Sequence, residues 1–206
     1  MKGLLIKDFY LATQNRIFLY LTGAIVVAMV FMPGGSVEFM IPYLAFMLVT
    51  DALSTISYDE FDNGYKALFT LPITRKQYVC EKYLLVLGLG ALVPFAIALI
   101  AVALGALKAG ALVFIALVLL LLVVCMGGFA LPCYLKFGIE KGRVVNIAII
   151  MATTFLIVTL SDSAVSLSQS AWLQNPLVPW IACVVMVLIL SVSFLIAVKI
   201  MERKEL

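Results

Sequence analysis

Long apolar runs alternate with short polar breaks along the whole chain. A helix that spans a bilayer needs roughly 20 predominantly apolar residues. Six runs approach that length, at about 17–32, 39–56, 83–105, 111–131, 144–160 and 177–198. ProGlyGlySer at 33–36 separates the first two and reads as a tight turn. The other breaks are a polar stretch at 57–82, a short link at 106–110, a basic link LKFGIEKGR at 135–143 and a polar segment without basic residues at 161–176. Pro94 lies inside the third run, and Pro132 is expected to stop the fourth. The pattern predicts an all-α, polytopic membrane protein with six transmembrane helices in one domain covering residues 1–206.

Ahead of the first run, residues 1–16 are too polar to span. On a helical wheel Leu5, Ile6, Phe9, Tyr10 and Ala12 share one broad face, and Lys7, Asp8, Gln14 and Asn15 lie opposite. That pattern suits a helix lying in the membrane–water interface. No small-x-small cleavage site follows, so a secretory signal is not expected.

Composition agrees with this plan. The chain is 65% hydrophobic and 12% charged, against about 25% charged in an average soluble domain. A soluble globule of 206 residues has too little interior to hide that much apolar surface. Six spans also leave no room for a large extramembrane domain, and no GxxxxGK[ST] or GxGxxG loop occurs. Any ATP-driven motor must therefore be another chain. Histidine is absent, which excludes Ser-His hydrolysis, His-ligated metal and His proton relays. The four cysteines form no CxxC pair and read as small buried hydrophobes. No catalytic residue, metal or nucleic-acid partner is expected.

The formal charge is only +3, so placement matters more than the total. If six spans alternate, every Lys and Arg except Lys108 falls on one side: the N-terminal segment, the 57–82 and 135–143 links, and the tail. The positive-inside rule makes that side cytoplasmic, with both termini inside. Trp172 and Trp180 flank the outer end of the sixth span, as interfacial anchors do.

The 57–82 stretch carries the most chemical information. SerTyrAspGlu at 57–60 and ThrArgLysGln at 74–77 both have capping-box spacing. They predict a short helix over about 58–69, a break at Leu71-Pro72 and a new helix from Thr74 into the third span. The short helix would carry Phe61, Tyr65, Leu68 and Phe69 at near-helical spacing. Two readings follow: an amphipathic connector resting on lipid headgroups, or a rigid element that presses into another protein's groove.

Here the sequence resembles a family. Leu71 with ProIleThrArg at 72–75, followed by Lys82 at the mouth of a span, is similar to a signature of ABC-2 type exporter permeases. So are SerTyrAspGlu at 57–60, the opening MKGLLIKDFYL and the six-span plan. The likeness covers essentially the whole chain. It is strongest to short bacterial members such as the membrane subunits of phenol-soluble-modulin-type peptide exporters. It implies a permease subunit of the bacterial cytoplasmic membrane that exports a hydrophobic or amphipathic substrate, peptide favoured. It also implies a dimer with a second permease copy or paralogue, and a separate ABC ATPase subunit that binds ATP and Mg. The segment between spans two and three becomes a coupling helix docked on that ATPase. Its contact candidates are Asp59, Glu60, Phe61, Asn63, Gly64, Tyr65 and Lys66, with Arg75 and Lys76 beneath the bilayer. Larger relatives carry a long outer segment between the last two spans; here only residues 161–176 occupy that place.

Asp51 is the one acidic residue well inside a predicted span, roughly 8 Å from its inner end at helical rise. An acid at mid-membrane costs about 2.5–3.5 kcal/mol, less toward an interface. With Thr50 and Ser54 it lines a substrate route, or it simply reaches the cytoplasmic headgroups or an interfacial Lys. Thr153 and Thr154 face the same choice between a route and hydrogen bonds within their own helix. Gly88, Gly90, Gly127 and Gly128 read as close-packing positions. An ion-coupled secondary transporter using Asp51 is the alternative to the ATP-driven reading. A two-aspartate intramembrane protease is excluded, because Asp51 and Asp162 sit at opposite ends of their spans.

Overall fold

The computed structural model describes residues 2–14, 20–25, 37–60, 64–70, 72–107, 111–167 and 177–203. Among them there is no strand. The helices are α1 (Lys2–Gln14), α2 (Val37–Glu60), α3 (Gly64–Leu68), α4 (Arg75–Leu87), α5 (Val93–Ala103), α6 (Ala111–Val123), α7 (Leu131–Leu167) and α8 (Leu177–Arg203). Residues 20–25 are helical as well, while the rest of the first predicted span lies outside the described residues. Four helical stretches are long and apolar enough to cross a membrane: Met40–Glu60, Arg75–Ala103, Ala111–Gly138 and Cys183–Arg203. The fifth predicted span, 144–160, is helical within α7.

Two of these stretches are continuous only because a π-helical turn joins their halves. Gly88–Leu92 links α4 to α5, and Val124–Ala130 links α6 to α7. Each turn ends just before a proline, Pro94 or Pro132. Proline offers no N–H to the carbonyl four residues back and its ring crowds that carbonyl, and a wider turn relieves the clash. At Pro132 the carbonyl in question is that of Gly128, and Ser193 Oγ of α8 donates to it. The hydroxyls of Ser193 and Tyr83 are also 2.6 Å apart. The fourth helix therefore does not stop at Pro132, as expected from sequence. It runs on to Gly138, where φ is +78° and the chain turns sharply. The basic 135–143 link is thus mostly helix on either side of one glycine. A side chain at Gly138 would come within 2.6 Å of Glu60 Oε1.

The core has two parts. The larger one sits where α2, α4, α7 and α8 meet, around Leu53, Ile56, Tyr78, Leu131, Leu135 and Met201. The smaller one joins the far ends of α2, α5 and α6 through Ile41, Ala45, Ala98, Ile115 and Leu119. The two are bridged where helices approach closely. Gly90 lies directly against Val49, and a methyl on Gly127 would lie 3.0 Å from Val86 Cγ1. Gly88 has open space, so close packing explains two of these glycines and not that one. Outside the core, α8 exposes Trp180, Val184, Leu188 and Leu195, and α5 exposes Leu99 and Ile100. Such an apolar exterior belongs in hydrocarbon rather than water. The four cysteines are free and half-buried, rather than fully enclosed as expected.

Candidate functional site

The densest polar chemistry lies where α1, the end of α2 and the start of α4 converge. α4 begins as predicted. Thr74 is its N-cap, with the Gln77 amide donating to Thr74 Oγ1 at 3.3 Å and the Thr74 amide donating to Gln77 Oε1 at 3.1 Å. This start sets Tyr78, Glu81 and Lys82 on the inward side of the helix, where all three are buried. The other capping box, at 57–60, does not form. α2 runs unbroken through Ser57–Glu60 because no glycine or proline interrupts it there. Asp59 and Glu60 therefore sit at a helix C-terminus, where the helix dipole disfavours acids, and cations are brought to the junction.

Lys82 is 1% exposed and is the hub. Its ammonium pairs with Asp8, lies 2.7 Å from Asp59 Oδ2, and donates to Thr55 Oγ1 at 3.1 Å. It also sits 5.2 Å from the centre of the Tyr78 ring. Lys7 pairs with Asp59 and lies 3.2 Å from Asp8. Tyr78 donates its hydroxyl to Asp59 Oδ2 at 3.0 Å. Glu81 is fully buried, 3.9 Å from Lys82. Burial pushes the Asp8 carboxyl up, but the Lys82 charge and hydrogen bond pull harder and hold it below its ordinary 3.8. Burial likewise draws Lys7 down, and the hydrogen bond and charge of Asp59 more than offset this, leaving it above 10.5.

This arrangement turns α1 in a definite direction. Its polar residue Asp8 is wholly buried, while Ile6 is 69% and Phe9 58% exposed. The helix keeps its charge inside the protein and offers its apolar side to the surroundings.

The segment between α2 and α4 is fastened to the same cluster. Tyr65 of α3 and Phe69 just after it both pack edge-on against Tyr78, with ring centres 5.9 and 6.0 Å apart. Burial pushes the Tyr65 phenol well above its usual range. Asp59 and Tyr65, expected as contacts for another protein, are thus held inside this chain. Gly64 opens α3 so close to the Asp59 carbonyl that a Cβ would come within 2.6 Å of it. Glu60 is half-buried beside Gly138. Arg75 donates to the carbonyls of Met201 and Glu202, at 3.0 and 2.6 Å, and so caps the end of α8. Lys76 pairs with Glu202 at 3.6 Å on the surface. Phe61 and Asn63 lie outside the described residues, as does the side chain of Lys66. Among the described residues the exposed positions around this segment are Tyr58, Thr70, Pro72, Thr74 and Lys76.

Of the residues expected along a substrate route, Asp51, Thr50 and Ser54 lie together on α2. Asp51 is buried, the Thr50 hydroxyl donates to the Phe46 carbonyl at 2.8 Å, and the Ser54 hydroxyl donates to the Asp51 carbonyl at 2.7 Å. Both hydroxyls serve their own helix. Thr153 and Thr154 are on α7, their side chains outside the described residues. Among the described residues no group of acids and cysteines forms a metal site.

Sequence reading singled out Lys82 only as part of a motif and missed Lys7, Asp8, Tyr78 and Glu81. One signal was available: Glu81 and Lys82 lie two turns into a helix that continues directly into an apolar run, where charges are costly unless paired.

No curated relative and no solved structure matches the chain. Residues 3–202 match the family described as ABC-2 family transporter protein. That match spans nearly the whole chain and agrees with its apolar helices and its apolar exterior. The family is the membrane component of ABC transporters, a permease that is not itself catalytic and that works with an ABC ATPase subunit. The chain belongs to the ABC-2 transporter family, as the multi-pass permease subunit of an ABC transporter.

Proposed function

We propose that this permease exports a hydrophobic or amphipathic substrate, with peptides favoured, across a bacterial cytoplasmic membrane. Six spans place both termini in the cytoplasm. A second copy or a paralogue completes a two-fold pair. A separate ATPase subunit, carrying ATP and Mg, docks on the segment between α2 and α4. The observation that supports this most is the aromatic and ionic fastening of that segment. Tyr65 and Phe69 hold it to Tyr78, and Tyr78 shares Asp59 with Lys7 and Lys82. A push on the exposed edge at Tyr58, Pro72 and Lys76 then reaches α1, α2 and α4 together. ATP-driven closure of the motor biases the spans toward an outward-open arrangement through that one junction. Asp59 and Tyr65 act in this reading as transmission within the chain, and Phe61 and Tyr58 as contacts with the motor. The ion-coupled alternative built on Asp51 does not fit the ATP-driven family.

Copurification tests the docking role. Tyr58→Ala and Phe61→Ala should each reduce capture of the ATPase subunit at least several-fold while the permease stays monodisperse. Full capture by both variants would overturn the assignment. A cysteine at Tyr58 that an impermeant reagent labels in intact cells would overturn the orientation.

A further inference from the structure

The seam between the start of α7 and the inner half of α8 carries two grooves stacked end to end. The lower one, about 390 Å³, is lined by Leu135, Lys136, Ile196, Lys199, Ile200 and Arg203. Its three cations are exposed, and no ion pair engages any of them among the described residues. Lys136 is steadied by the Phe137 ring, 5.0 Å from its ammonium. The upper groove, about 570 Å³, is almost wholly apolar. Phe129, Pro132 and Cys133 form one wall, and Val185, Ile189 and Val192 the other. Ile196 lines both grooves, so they adjoin there. From Ile196 up to Val185 the apolar wall rises about 16 Å along α8.

We propose that this seam is a binding site for one anionic phospholipid of the basic-side leaflet. Its phosphate sits among Lys136, Lys199 and Arg203, and an acyl chain lies along the groove above. Two independent features select this occupant. Three cations with no ion pair and no carboxylate in the groove lining among the described residues call for a negative headgroup, and basic clusters between spans on the cytoplasmic side bind such headgroups. A free phosphate has no use for the apolar extension, and a zwitterionic lipid gains little from three cations. The site lies on the α7–α8 seam, away from the Lys82 junction, and does not depend on how the ATPase docks. The bound lipid bridges α7 and α8 beside the point where Ser193 ties α8 to the π-helical turn ahead of α7, so membrane charge acts on the packing of the last helix.

The test uses the full chain, delipidated in mild detergent, with lipid adducts counted by native mass spectrometry. Dioleoyl phosphatidylglycerol, dioleoyl phosphatidylcholine and inorganic phosphate are titrated separately. Phosphatidylglycerol should bind far more tightly than phosphatidylcholine. Lys136→Gln, Lys199→Gln and Arg203→Gln together should lower its affinity about a hundredfold, at about fivefold per cation. Lys199→Gln alone should lower it about fivefold, and serves if the triple variant does not purify. Val192→Trp, which fills the groove, should weaken both lipids. Lys141→Gln with Arg143→Gln, basic but off the seam, should change nothing. Equal binding of the two lipids, unchanged binding in the triple variant or in Lys199→Gln, or displacement of phosphatidylglycerol by millimolar phosphate would each overturn the proposal. So would a lipid-free dimer that dissociates on Val192→Trp, since a second copy would then be the occupant.

Discussion

Lys82 and Lys199 lie on the neighbouring helices α4 and α8 and meet opposite environments. Lys82 is enclosed by Asp8, Asp59, Thr55 and the Tyr78 ring. Lys199 opens onto a groove lined by two further cations and, among the described residues, no carboxylate. The same side chain therefore does different work. Where carboxylates surround it, the cation ties three helices into one junction; where they are missing, it is left to recognise something outside the chain. A buried pair is costly to break, because removing one partner strands the others away from water.

The sharpest way to break this contrast is to neutralise each lysine in turn. Lys82→Met should destabilise the protein by about 3–5 kcal/mol, seen as lost monodisperse yield and an early thermal transition in detergent. Adding Asp8→Asn and Asp59→Asn should recover much of the loss. Lys199→Gln should leave the transition where it is, and equal effects of the two lysines would end the distinction. Next in size is Tyr78→Phe, which keeps the ring packing on Tyr65 and Phe69 but removes the hydroxyl given to Asp59. It should cost about 1.5–3 kcal/mol, the range for a hydrogen bond to a charged group.

A pH series sharpens the picture further. The Asp8 carboxyl is held below its ordinary 3.8, so its contribution is complete above that value and fades as the pH falls through the lowered one. The stability gap between wild type and Asp8→Asn should therefore be constant above about pH 4 and close in stronger acid. A gap that persists when Asp8 is protonated would assign its role to packing instead of charge. The smallest loss of stability belongs to Lys76→Ala. That exposed pair with Glu202 should be worth no more than about 1 kcal/mol, read from the same thermal transition.

What the sequence revealed follows from the range of each interaction. Apolar runs betrayed the helices at 37–60, 75–103, 111–138 and 177–203 because hydrocarbon exposure is a property of each segment alone. The Thr74 start was legible because its capping partner, Gln77, is three residues away. Ser57–Glu60 has the same spacing, but local spacing does not say whether a helix is beginning or ending. Pro132 was read as a stop because the donor that rescues the Gly128 carbonyl comes from Ser193, 65 residues on. The junction was hidden for the same reason: Lys7 and Asp59 are 52 residues apart, and Asp8 and Lys82 are 74 apart. Of the docking candidates, Asp59 and Tyr65 face inward, because their partners Lys7, Lys82 and Tyr78 come from distant parts of the chain.

The embrace of Asp8 by Lys82 also sets a schedule for biogenesis. When Asp8 is added to the growing chain, its counter-ion Lys82 is still 74 residues from being made, a wait of roughly 4 to 15 seconds at ordinary elongation rates. Through that interval the acid must stay at the watery rim, and only the arrival of the later hairpin lets the leading helix settle. Translation pauses placed between the two, or a chaperone that shields the nascent rim, should change how many chains seat correctly without altering a single contact in the finished protein.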